Sequence, residues 1–140
     1  IYPMYDFTHP ISDSLEKIVA GFNEDPETVW QITGCLHDIN GEVTAPHEPQ
    51  WTDDIYTGNN RLGSVSTLSM MRESALLFEE PLQWVVDAEL YYRLYLKYGI
   101  PNLLTTMNVI VDVRNDRLTH TLSDELKQQE ISYLIRKYGK

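Results

Sequence analysis

Residue patterning predicts an α/β domain, a mixed sheet flanked by helices. Three segments carry apolar residues at helical spacing, β-branched runs of strand length lie between them, and Asn40-Gly41 joins two extended segments as a tight hairpin. The 140 residues suffice to close one hydrophobic core, with 42% apolar and 23% charged residues as in an ordinary globular protein. No internal repeat, low-complexity run or domain boundary interrupts the chain, so residues 1–140 are expected to form a single domain or part of one.

In "ISDSLEKIVAGFNEDP", Ser12 or Asp13 is placed to cap a helix, Asp13 and Glu16 have capping-box spacing, and Leu15, Ile18, Val19 and Phe22 fall on one face. Pro26 stops it. "TVWQITGCLHDI" reads as a strand that Asn40-Gly41 returns through "EVTAP". Residues 46 to 63 are rich in Pro, Gly, Asn and Asp and predict a long ordered loop. "SVSTLSMMRE" predicts a short strand entering a turn, and "SALLFEEP" a short apolar anchor. From Leu82 to Tyr98, Val86, Leu90, Leu94 and Tyr98 recur every four residues, and Gly99 and Pro101 end the helix. "MNVIVDV" is a strand. "TLSDELKQQEISYLIRKYG" is an amphipathic helix capped by Thr121 or Ser123, with Leu126, Ile131, Leu134 and Ile135 inward.

The net charge of −10 and the lack of a Lys/Arg cluster argue against nucleic acid as a partner, while an acidic cleft suits a divalent cation. Cys35 is the single cysteine, which excludes an intrachain disulfide and a four-thiolate zinc site and fits a cytoplasmic location. No apolar stretch reaches the roughly 18 residues that a membrane span needs, and "IYPMYDFTHP" does not read as a leader. Lacking an initiator methionine, the chain is expected to be a piece of something longer. Walker and dinucleotide glycine loops, the G-x-S-x-G elbow and H-E-x-x-H are missing.

What remains is a set of separated carboxylates: Asp6, Asp53 and Asp54, Asp87 and Glu89, and Asp116. The pair in "WVVDAELYYRL" admits two readings, a charged helix start that suits the macrodipole or a catalytic base beside a cleft.

Taken in order, "YDFTHP", "NRLGSVSTLSMMRE", "VVDAELYYRLYLKYG" and "VDVRNDRLTHTLS" resemble the second half of a family-2 glycosyltransferase domain of the GT-A type, over nearly all of the chain. The resemblance implies an inverting transfer of a sugar from a nucleotide-diphosphate donor to an acceptor hydroxyl. The family's Asp-rich metal motif ends in an Asp followed by Pro, as Asp6 and Pro10 do here, with Tyr5 where a second Asp is frequent. Asp6 would then help hold Mn²⁺ or Mg²⁺ on the donor diphosphate. The family's Gly-x-x-Ser passage maps onto Gly63, Ser64 and Ser66 on the acceptor side, although a tight strand entry explains these residues equally well. Trp51, Asp53, Asp54 and Tyr56 in the preceding loop, with Trp84, would stack on and hydrogen-bond to an acceptor sugar.

The family's acidic catalytic motif maps onto Val86-Asp87-Ala88-Glu89-Leu90 with Arg93 beyond, Val86 replacing the first acid. Asp87 keeps the place of the general base that takes the acceptor proton during attack. Glu89 is grouped with the acceptor-side residues, as a supporting or helix-surface group. In "RNDRLTHTLS", Asp116 stands where the family has a metal-binding His, and Thr119 and Thr121 where it has Ser. His120 is a nearby alternative ligand, and a solvated turn before the last helix is the simpler reading.

The family's nucleotide pocket would lie in a segment before Asp6, so the chain is expected to hold the acceptor side and to pair with another copy or with that segment. The departures at Tyr5, Val86 and Asp116 keep open a non-catalytic carbohydrate-binding or assembly module, and a metal-dependent phosphoesterase is a third possibility.

Overall fold

The computed structural model describes residues 2–3, 8–10, 14–113 and 122–139. Among the described residues it is an α/β fold with an open mixed sheet of six strands flanked by helices. The strands are β1 (Tyr2–Pro3), β2 (Thr8–Pro10), β3 (Trp30–Ile39), β4 (Glu42–His47), β5 (Leu68–Met70) and β6 (Asn102–Val113). The helices are α1 (Ser14–Glu24), α2 (Val86–Tyr98) and α3 (Asp124–Tyr138). Strand order is β1-β5-β3-β6-β2, with β4 also on β3. The β3–β6 pair is parallel, from Gln31 opposite Asn102 to Ile39 opposite Val113, and every other pairing is antiparallel. A parallel pair needs a long crossover, which the loop and α2 supply.

Successive side chains of β3 divide the core between the two faces of the sheet. Trp30 and Ile32 enter the main cluster with Ile55, Leu62, Leu68, Leu90, Tyr91, Leu94 and Leu134. Trp30 stacks on Tyr91 of α2 at 6.0 Å, and its indole N–H reaches the Gly99 carbonyl that follows the helix. Gln31 turns the other way and donates to the Ile18 carbonyl of α1, while Asn102 of β6 donates to Gln31 Oε1 at 2.6 Å. The hairpin forms as expected, with Asn40 and Gly41 both at positive φ, the conformation a tight two-residue turn requires. Ser123 caps α3 by accepting the Leu126 N–H.

Several expectations are corrected. The α1 cap at Ser12 or Asp13 falls outside the described residues. Leu15 is exposed, because the inward stripe of α1 runs through Ser14, Ile18, Gly21 and Phe22. Residues 82–85 precede α2 in a turn instead of opening it. The "SALLFEEP" anchor reduces to Leu76: side chains of an extended segment alternate, so Leu76 packs on the core and Leu77 is 86% exposed. Strand β6 starts five residues before Met107. In α3 the stripe is Glu130, Ile131, Leu134 and Tyr138, which leaves Ile135 at 44% exposure. Among the described residues no helix is long and apolar enough to cross a membrane.

Candidate functional site

Asp87 lies in the first turn of α2 and lines an open cavity of about 160 Å³ with Gly58, Asn60, Trp84, Val85 and Ala88. One carboxylate oxygen accepts the Ala88 backbone N–H at 2.7 Å, and the other accepts the Asn60 side-chain amide at 3.2 Å. Asn60 is the hinge of this wall. Its Oδ1 accepts the N–H groups of Leu62 and Gly63, an Asx turn that reverses the chain, and its Nδ2 also donates to the Gly63 carbonyl at 3.1 Å. From the helix side, Tyr91 donates its hydroxyl to the same Gly63 carbonyl at 3.1 Å. Burial, reinforced by the Asp87 charge, pushes the Tyr91 phenol well above its ordinary value and keeps it a donor.

Gly63 is therefore joined to Asp87 through Asn60, and Tyr91 holds the same Gly63 carbonyl from α2. Ser64 and Ser66 serve the backbone: Ser64 Oγ accepts the Ser66 N–H, the Ser64 carbonyl accepts the Thr67 hydroxyl at 2.7 Å, and Ser66 is buried. This matches the tight-strand-entry reading. Trp84 lines the cavity.

The loop residues do not converge there. Trp51 packs on Tyr95 with ring centres 4.6 Å apart and meets Trp30 edge-on, so its ring belongs to the aromatic core. Tyr95 is eight residues beyond Asp87, roughly 12 Å along a helix axis. Tyr56 packs on Tyr92 in the same cluster. Asp53 accepts the Trp51 indole N–H, and Asp54 accepts from the Thr52 hydroxyl and the Asn59 amide, which hold its carboxyl below the ordinary value. Both carboxylates brace their own loop.

Glu89 is 0% exposed, which corrects its helix-surface reading and leaves the supporting one. Arg93 Nε meets its two oxygens at 2.7 and 2.9 Å, the Tyr138 hydroxyl donates to it, and Lys137 Nζ stands 3.5 Å away. Arg93 also donates to the Leu77 carbonyl at 2.6 Å. This cluster ties α2 to α3.

The three expected metal ligands, Asp6, Asp116 and His120, lie outside the described residues, as do Tyr5, Thr119 and Thr121. Among the described residues no group of three His, Cys, Asp or Glu side chains is arranged to hold a metal. Inspection of the sequence missed Asn60, Tyr91 and Glu130, which shape the site. The available signals were Asn60 three residues before Gly63, Tyr91 one turn beyond Asp87, and a lone acid at position 130 inside the Leu126–Leu134 apolar stripe.

No family model, curated protein or solved structure matches this chain.

Proposed function

We propose that the chain is the acceptor-side part of an inverting glycosyltransferase, with Asp87 as the general base. The observation that supports this most is the placement of the Asp87 carboxylate on a cavity wall, fixed by Asn60 yet open on one side. The cavity gives an acceptor hydroxyl a place beside this carboxylate, which accepts hydrogen bonds when ionised. In the proposed step the hydroxyl gives its proton to Asp87 as its oxygen bonds to the anomeric carbon from the face opposite the leaving nucleoside diphosphate, which departs with the electrons of the broken bond. Trp84 would flank the acceptor. A divalent ion on the diphosphate, held by Asp6, Asp116 and His120, is the part of the reading that rests on the sequence resemblance alone.

A second reading, a carbohydrate-binding or assembly module without chemistry, is favoured by one feature: both Asp87 oxygens already hold protein donors and so brace the 60–63 turn. Two experiments separate the readings. Titration of the chain with UDP, GDP and their sugar conjugates, with and without Mn²⁺, is expected to raise the melting temperature for one nucleotide class. Incubation with those donors and a panel of hydroxylated acceptors is expected to give transfer that Asp87→Asn abolishes while acceptor binding persists. Acceptor binding without transfer by the wild type, in the presence of a donor that binds, would establish the module instead.

A further inference from the structure

Both walls of the Asp87 cavity rest on two consecutive residues of α3. Ile131 lies under Gly58, where an added Cβ would stand 3.2 Å from Ile131 Cδ1, and Gly58 with Asn60 forms one wall. Glu130 holds the opposite wall. Its carboxylate accepts the backbone N–H groups of Gln83 at 3.0 and 3.1 Å, Trp84 at 2.8 Å and Val85 at 3.1 Å, and Trp84 and Val85 line the cavity. Glu130 is 6% exposed, a burial that an acidic side chain rarely tolerates without partners.

Val85, at the N-cap of α2, makes no side-chain capping bond. A helix start normally recruits a local Ser, Thr, Asp or Asn for that purpose. Glu130, 45 residues from Val85, instead holds the turn that leads into the helix, accepting the N–H groups of residues 83–85, while the first-turn Ala88 N–H goes to Asp87. Only a carboxylate suits the place: a glutamine has one acceptor oxygen, and its NH₂ would confront a backbone N–H as donor against donor.

We propose that Glu130 is a positioning residue for this site. Its carboxylate fixes the 83–85 turn, and through that turn the spacing of Trp84 and Val85 from the Gly58–Asn60 wall and the aim of Asp87 between them. The functional weight of this rests on Asp87 being the reacting carboxylate, but the test uses no turnover, so one can fail without the other.

Amide hydrogen exchange and side-chain amide resonances are compared in the whole chain for wild type, Glu130→Gln, Glu130→Ala and Gln128→Ala, the last on the exposed face of α3. In Glu130→Gln, exchange at Trp84 and Val85 is expected to accelerate at least about tenfold, the loss of charge-assisted acceptance at a buried site. The Asn60 side-chain amide resonance is expected to move as well, while Leu90 and Leu94 exchange at the wild-type rate and Gln128→Ala changes nothing. Should Glu130→Ala fail to fold, the isosteric glutamine variant carries the comparison. Unchanged exchange at 83–85, a loosened turn with an unmoved Asn60 resonance, or faster exchange throughout α2 and α3 would each overturn the proposal.

Discussion

Asp87 and Glu89 stand two residues apart at the start of α2 and meet opposite surroundings. Two residues along a helix are about 200° apart around its axis, so one faces the cavity and the other the interior. Asp87 has a neutral amide and a backbone N–H for company and an opening beside it. Glu89 is enclosed by Arg93, Lys137 and Tyr138. Similar side chains thus divide between a carboxylate that lines a cavity and one that secures the framework, and the division is made by neighbours that lie far off in sequence.

The largest effect expected on this contrast is chemical. Asp87→Asn should lower transfer by about 10²- to 10⁴-fold, the usual contribution of a general base, while stability in urea unfolding falls by only about 1 kcal/mol. Equal losses of stability and transfer would erase the distinction. On the other side, Arg93→Met leaves the buried Glu89 with Tyr138 and Lys137 alone and should cost about 3 kcal/mol, read as a lower urea midpoint at unchanged slope. A cost like that of a surface substitution would mean that the pair contributes little.

Gly58→Ala probes the cavity wall from its hidden side. At φ +93° with Ile131 Cδ1 3.2 Å from the added carbon, the change should cost about 1–2 kcal/mol and shift the Asn60 amide resonance. The smallest effect is alkaline. Burial and then the Glu89 carboxylate push the Tyr138 phenol up to about 12. Below the ordinary phenol value near 10 the folded and unfolded chains both keep this proton, and the contribution is present in full. As pH rises from about 10 to 12 the unfolded chain releases it first, so the contribution is lost. Tyr138→Phe should flatten that part of the stability profile, and an unchanged profile would show the bond to Glu89 to be weak.

Local signals in the sequence were read well. Asn40-Gly41, the Ser123 cap, the Gly99 stop and the four-residue recurrence in α2 each depend on a few adjacent residues, and each appears as expected. The mixed sheet followed from the same patterns. Asp87 and Trp84 line one cavity and Gly63 is bonded to Asn60 of its wall, but Trp51, Asp53 and Asp54 serve the core and their own loop. Composition cannot distinguish an aromatic that stacks on a sugar from one that stacks on Tyr95, since both are exposed loop residues until the partner is known. Glu130 stands out only as an acid inside an apolar stripe, and what it holds becomes visible only when α3 docks beside residues 83–85.

That long-range brace bears on how the chain acquires its shape. Helix α2 has a local stop at Gly99 but no side-chain bond from its N-cap Val85, and the turn before it is held by α3, so an isolated peptide spanning residues 82–98 should fray from its first turn while its far end holds. During folding the beginning of α2 would remain unsettled until α3 arrives across the intervening chain. Asp87 sits in that late turn, so its orientation would be among the last features of the molecule to form and among the first to be lost on partial unfolding.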